Sequence, residues 1–218
     1  MSGLSVSEPR WRRMPEERPT QILDAALEVF AEHGLEGARM EDIAEGAGVS
    51  KATIYLYFPS KVDLFRAMVG RSITELREEV ADLEVGESPS EALEVFARRY
   101  WDHLLSSRFV ATYRLVLANL DAFPDLVREY ATELRIAMFE VASPLLERGA
   151  DIGEFRPGDP AVRARMLLAI LVKHAVWCAR RELVPDLRGR ADDEILEEVM
   201  EFFFEALGRT RPGGGGCR

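Results

Sequence analysis

The chain has 218 residues, with 28 Lys+Arg against 38 Asp+Glu and a net charge of −10. That length supports one large domain or two small ones with a real core, and the acidity excludes a bulk polyanion binder, so any nucleic-acid contact has to be local. Two cysteines, Cys178 and Cys217, make no disulfide framework and fit a reducing cytoplasm. Residues 1–19 have no signal-peptide apolar region, and the longest apolar run, near Met166–Val172, is too short for a bilayer.

Residues 1–18 are polar, with Pro9, Pro15 and the cluster Arg10, Arg12, Arg13 and Arg18, and read as a flexible arm. From there the periodicity is helical throughout, with no sustained alternation of period two. The first helix is predicted from Pro19 or Thr20 to His33, with an apolar stripe of Ile22, Leu23, Ala26, Leu27, Val29 and Phe30, and Gly34 as its stop. A short second helix covers Met40 to Gly46. Gly48 turns the chain, Ser50 caps a third helix that runs to Tyr57, and Pro59 blocks its continuation. Ser60 caps a fourth helix reaching about Leu83, with Asp63 at its third position. Glu84–Ala92 is a joint, in which Ser88, Pro89 and Glu91 form a start signal. Further helices are expected near 90–106, 109–121, 125–148, 160–182 and 192–207, with Pro144 kinking one of them. The tail from Arg209, ending "GGGGCR", is disordered by composition. The expected fold is all-α with about nine helices. A three-helix domain over 19–67 precedes a larger helical bundle over 68–208.

The spacing Ile43-Ala44-x-x-Ala47-Gly48-Val49-Ser50 has a physical reading. Small residues allow two helices to cross closely, Gly48 supplies the turn, Val49 fills the gap and Ser50 starts the next helix. This is a helix-turn-helix, whose second helix enters a DNA major groove. Charge agrees with a local contact. Residues 1–70 hold 8 Lys+Arg and 11 Asp+Glu, yet Ser50–Met68 carries Lys51, Lys61 and Arg66 against Asp63 alone. Phosphate contacts need only such a local cationic face.

The stretch "RMEDIAEGAGVSKATIYLYFPSKVDLF" resembles the N-terminal signature of the tetracycline-repressor-like (TetR) transcriptional regulators, and the resemblance covers Ile22 to about Met68. It implies an all-helical homodimer that binds double-stranded operator DNA and holds a small-molecule effector in its larger domain, with no cofactor and no membrane. It puts Ser50, Lys51, Ala52, Thr53, Tyr55 and Tyr57 on or beside the recognition helix, with Lys51, Thr53 and Tyr55 toward the groove. Lys61 and Tyr57 would hold phosphates. Arg39 would approach the DNA backbone where relatives often carry a hydroxyl. Phe58 reads as core. The helices that line the pocket in relatives carry Trp101, Tyr113, Arg114, Leu117, Phe139, Met166, Ile170, His174 and Trp177, most of which also read as ordinary core or interface. Arg114 and His174 stand out as polar residues in apolar stretches, and if buried each needs a ligand or an internal partner.

The eighth helix is apolar over most of its circumference, and Phe202, Phe203 and Phe204 point in three directions. These two helices are therefore expected to pair with their copies in a second subunit, with Phe203 in the interface. His33, His103 and His174 have no metal-ligand spacing, and no nucleophile elbow accompanies the serines. The sequence thus reads as a cytoplasmic, non-enzymatic regulator, a repressor released from its operator by an effector of unknown identity. Two recognition helices would sit about 34–36 Å apart, and effector binding would tilt the fourth helix. Two other classes remain open: an effector-independent architectural DNA binder, and a helical enzyme using the larger domain's pocket.

Overall fold

In the computed structural model, which describes residues 18–81, 88–119 and 121–209, the first element is α1 (Arg18–Gly37). Its run is broken at Gly34, where φ is 70° and ψ is 170°, so the helix proper ends at the predicted stop. α2 (Met40–Gly46), α3 (Lys51–Tyr57) and α4 (Lys61–Ala81) follow, then α5 (Pro89–Leu105), α6 (Ser107–Ala118), α7 (Pro124–Asp151), α8 (Pro160–Cys178) and α9 (Asp192–Leu207). The described residues contain these nine α-helices, two 3-10 turns (Arg181–Leu183 and Pro185–Leu187) and no strand. The predicted all-α class and helix order hold. Among the described residues no helix is long and apolar enough to cross a membrane.

The chain divides into two compact units between Phe65 and Arg66. In the first, α1 buries Ile22, Leu23, Ala26 and Phe30 against Ile43, Ala44, Ile54, Leu64 and Phe65, with Phe30 and Phe65 meeting edge to face at 6.1 Å. Gly46 of α2 lies close to α1, where a Cβ would stand 3.3 Å from that of Ala25. A side chain there would require Ala25 or its helix to give by a few tenths of an ångström. Arg18, assigned by composition to the arm, is already helical. Residues 1–17, the tail from 210 and residues 84–87 of the joint lie outside the described residues.

In the second unit α5 packs against α7, α8 and α9 around Leu93, Phe96, Ala97, Trp101 and Leu104. The starts follow the sequence signals closely. Ser88 Oγ accepts from Glu91 N at 3.3 Å, and Asp159 Oδ1 accepts from Ala161 N and Val162 N at 2.9 and 3.1 Å. α7 continues through Pro144 as one helix. Its last turn needs Gly149, because a Cβ there would lie 2.2 Å from the Phe155 ring that stacks on Phe204.

Two expectations are corrected. α8 ends at Cys178, four residues short of the predicted end. Arg181 folds back there, its Nε donating to the Cys178 carbonyl at 3.1 Å and its Nη1 to the Arg190 carbonyl at 2.8 Å, while it also pairs with Asp192. These contacts replace another helical turn with a staple onto the start of α9. Phe203 is buried at 3% exposure within its own protomer, as is Phe204, whereas Phe202 stands 62% exposed. Phe203 is thus a core residue, and Phe202 is the phenylalanine that faces outward.

Candidate nucleic-acid interface

The first unit builds one exposed helix with a fixed start. Ser50 is extended (φ −75°, ψ 152°) and its Oγ accepts from Thr53 N at 3.1 Å, a cap whose loss typically costs about 1 kcal/mol. Gly48, at φ 63°, makes the turn before it, and its N donates to the Glu45 carbonyl at 3.0 Å. Ile54 and Phe58 turn inward to the core. What remains outside is Lys51, Ala52, Tyr55 at 43%, Leu56 at 80% and Tyr57 at 37%.

Each nominated residue has a definite place. Ser50 is the cap. Thr53 is half-buried, and its Oγ1 lies 2.8 Å from Ser50 Oγ, so its hydroxyl belongs to the cap before it belongs to any base. Lys51 donates to Glu41 of α2 and lies 5.8 Å from the centre of the Tyr55 ring. Arg39 is exposed at the start of α2 and offers no side-chain cap. Tyr57 is exposed beside Phe58, at 6.4 Å between ring centres. Lys61 is half-buried, and its Nζ donates to the carbonyls of Glu36 at 2.7 Å and Ala38 at 3.0 Å. It therefore clasps the α1–α2 connection. Ser60 and Asp63 cap α4 reciprocally, with Asp63 N to Ser60 Oγ at 3.1 Å and Ser60 Oγ to Asp63 Oδ2 at 2.7 Å.

The sequence reading missed Leu56. Its signal was present, because Leu56 stands two residues from both Ile54 and Phe58, and a two-residue step turns a helix by about 200°. With those two in the core, Leu56 has to point out. It shares its face with Ala52, one turn earlier. An exposed strip of Ala52 and Leu56 flanked by Lys51 and Tyr55 offers methyl groups for thymine, with a cation and phenols for phosphates.

The nine residues nominated for a pocket differ widely in exposure. Trp101 is fully buried, whereas Tyr113, Phe139, Ile170 and His174 are half-buried and Arg114, Leu117, Met166 and Trp177 are exposed. Tyr113 stacks on Phe109 at 5.7 Å. His174 Nδ1 lies 3.0 Å from the Ile170 carbonyl of its own helix and meets Trp177 edge to face. Arg114 is exposed and so needs no buried partner. A groove of about 1060 Å³ runs between α5 and α9, with Leu196, Met200 and Phe204 among its lining and Glu94, Arg98, Glu201 and Arg209 as charged members. None of the nominated nine lines it. Trp101 Nε1 and Thr112 Oγ1 are buried with no hydrogen-bond partner among the described residues. The described residues contain no group of three or more His, Cys, Asp or Glu arranged to hold a metal.

Comparison with known proteins matches both units. The family model for bacterial regulatory proteins of the tetR family covers residues 22–68, and that for the AefR-like transcriptional repressor C-terminal domain covers 91–209. The HTH-type transcriptional activator FasR of Mycolicibacterium smegmatis is 31% identical over 202 residues, 91% of this chain and 87% of that protein. The fatty acid metabolism regulator protein of Bacillus subtilis is 30% identical over 71% of this chain and 80% of its own length. In fold, the chain resembles the transcriptional regulator FadR from Bacillus subtilis in complex with stearoyl-CoA, with a TM-score of 0.70, 23% identity, and 85% of this chain and 97% of that one covered. With a capped, outward-facing recognition helix in the first unit and family matches along both, the chain belongs to the TetR family of transcriptional regulators.

Proposed function

We propose that this protein is a cytoplasmic homodimer that binds double-stranded operator DNA through α3 and represses transcription until a small-molecule effector releases it. The first unit carries the DNA contact, and the second carries effector binding and dimerisation. The observation that carries the DNA reading is the exposed strip Lys51, Ala52, Tyr55, Leu56 and Tyr57 on a helix whose start is fixed by Ser50. Ala52 and Leu56 read base edges, while Lys51, Tyr57 and Arg39 position the helix on phosphates. Lys61 holds the α1–α2 connection from which Arg39 projects.

For the effector we favour a long-chain fatty acid or its coenzyme A thioester. Two relatives support this: one named as a fatty acid metabolism regulator, the other with bound stearoyl-CoA. The second unit supports it too, since its interior is apolar and Trp101 Nε1 is buried with no acceptor among the described residues. The test is direct. Duplexes are selected from a randomised pool with the wild-type protein, and release of the selected duplex is titrated with palmitoyl-CoA and with free coenzyme A. Release by the thioester alone supports the reading. Binding to duplex that palmitoyl-CoA leaves unchanged removes the thioester, and the same result with palmitate removes the free acid. A second reading, activation, is favoured by the relative FasR, named as an activator. Deleting the gene separates them, because transcription beside the selected sites rises if the protein represses and falls if it activates.

A further inference from the structure

Lys51 opens the recognition helix, but its ammonium already has an acceptor. It donates to Glu41 Oε1, from the first turn of α2, and the two side chains remain 52% and 46% exposed. The pair thus lies at the surface assigned above to DNA. The Lys51 hydrogen bond holds the Glu41 carboxyl below its usual range, and the same bond holds the Lys51 ammonium above its own. A carboxylate oxygen and a phosphate oxygen are acceptors of the same class for an ammonium. Lys51 cannot commit fully to a DNA phosphate while Glu41 keeps it. Once Lys51 leaves, the carboxylate loses its ammonium partner in the field of the phosphates, with Arg39 as the remaining nearby cation.

We propose that Glu41 is an intramolecular substitute for a DNA phosphate, holding Lys51 in the free protein and exchanging it for the backbone when a duplex docks. This rests on the DNA-binding reading. The exchange weakens every complex by a similar factor, so complexes without base contacts in reserve drop out of occupancy first. It also changes the ion balance. Lys51 releases a counterion from the phosphate it takes, but the abandoned Glu41 takes a cation up, and the net release falls.

The experiment compares wild type, Glu41→Gln, Lys51→Met and the double variant on two fluorescent probes of about 30 base pairs, one selected by the wild type and one of random sequence, across a salt series. Glu41→Gln is expected to tighten both complexes by about two- to fivefold at low salt, the range an exposed ion pair supports. It is also expected to steepen the slope of log affinity against log salt by up to about 1. In the Lys51→Met background the same change is expected to do much less. Glu45→Gln, a charge removed elsewhere on α2, measures what bulk charge alone does. The proposal is overturned if Glu41→Gln leaves affinity and slope at their wild-type values, if Glu45→Gln matches it, or if its effect persists undiminished without Lys51. Wild-type protein that retains neither probe at any salt overturns the DNA-binding reading and this proposal with it.

Discussion

Lys61 and Leu56 exchange the importance their residue types suggest. A lysine at a helix start reads as a phosphate contact, yet two carbonyls from the α1–α2 connection already accept hydrogen bonds from this ammonium. Hydrogen bonds to a charged group contribute about 1.5–3 kcal/mol net, less where water reaches them. Lys61→Met is therefore expected to lower stability by about 1–2 kcal/mol, read as a lower urea midpoint. A lysine serving phosphate alone would leave that midpoint where it was. Leu56 is the converse case. At 80% exposure it contributes little to the core, so Leu56→Ala should change stability by less than about 0.5 kcal/mol. Its effect belongs to recognition, where losing a thymine contact should cost about 1–3 kcal/mol of discrimination at one position. Selection from randomised duplexes with both proteins measures it, and unchanged base preferences would take Leu56 off the reading face.

Four helix starts in this chain are set by side chains within three residues, and that is why they were legible. Ser50 before α3, Ser60 with Asp63 in α4, Ser88 before α5 and Asp159 before α8 all bond to backbone or side chains inside the first turn. The end of α8 was not legible, because Arg181 reaches the Arg190 carbonyl nine residues on and Asp192 beyond it. Which of the pocket candidates lie exposed was not legible, for a different reason. A helix that is apolar all round, such as α8, does not announce which face meets its own bundle, so Met166 and Trp177 emerge exposed. Glycines make a sharper comparison between elements. A Cβ at Gly48 or at Gly70 meets no described atom within 4 Å, but Gly48 has φ 63° and Gly70 lies inside α4. Gly48→Ala should cost about 1–2 kcal/mol through its left-handed backbone, and Gly70→Ala should add about 0.5–1 kcal/mol as a better helix former. Denaturant midpoints of opposite sign are the expected outcome, and a stabilising Gly48→Ala would contradict the turn geometry.

For the whole molecule, the proposed dimer depends on which apolar groups the single protomer leaves outside. α8 leaves Met166 and Trp177, and α9 leaves Phe202. Phe202→Glu should keep the protomer folded and shift it to monomer, because an unpaired charge is costly in a buried interface. Phe203→Glu should unfold the protomer instead. Sedimentation with circular dichroism separates the two, and a Phe202→Glu protein still dimeric at micromolar concentration would exclude that face. Leu56 has one more consequence at this scale, for colloidal behaviour. Off DNA, the proposed reading surface leaves a leucine in open water beside two exposed tyrosines, and mutual repulsion from a net charge of −10 should keep one such surface from finding another. That repulsion fades near the isoelectric point, at about pH 5.0. Clouding of the free protein should therefore begin well before the fold fails, and a short duplex in the same tube should keep the solution clear.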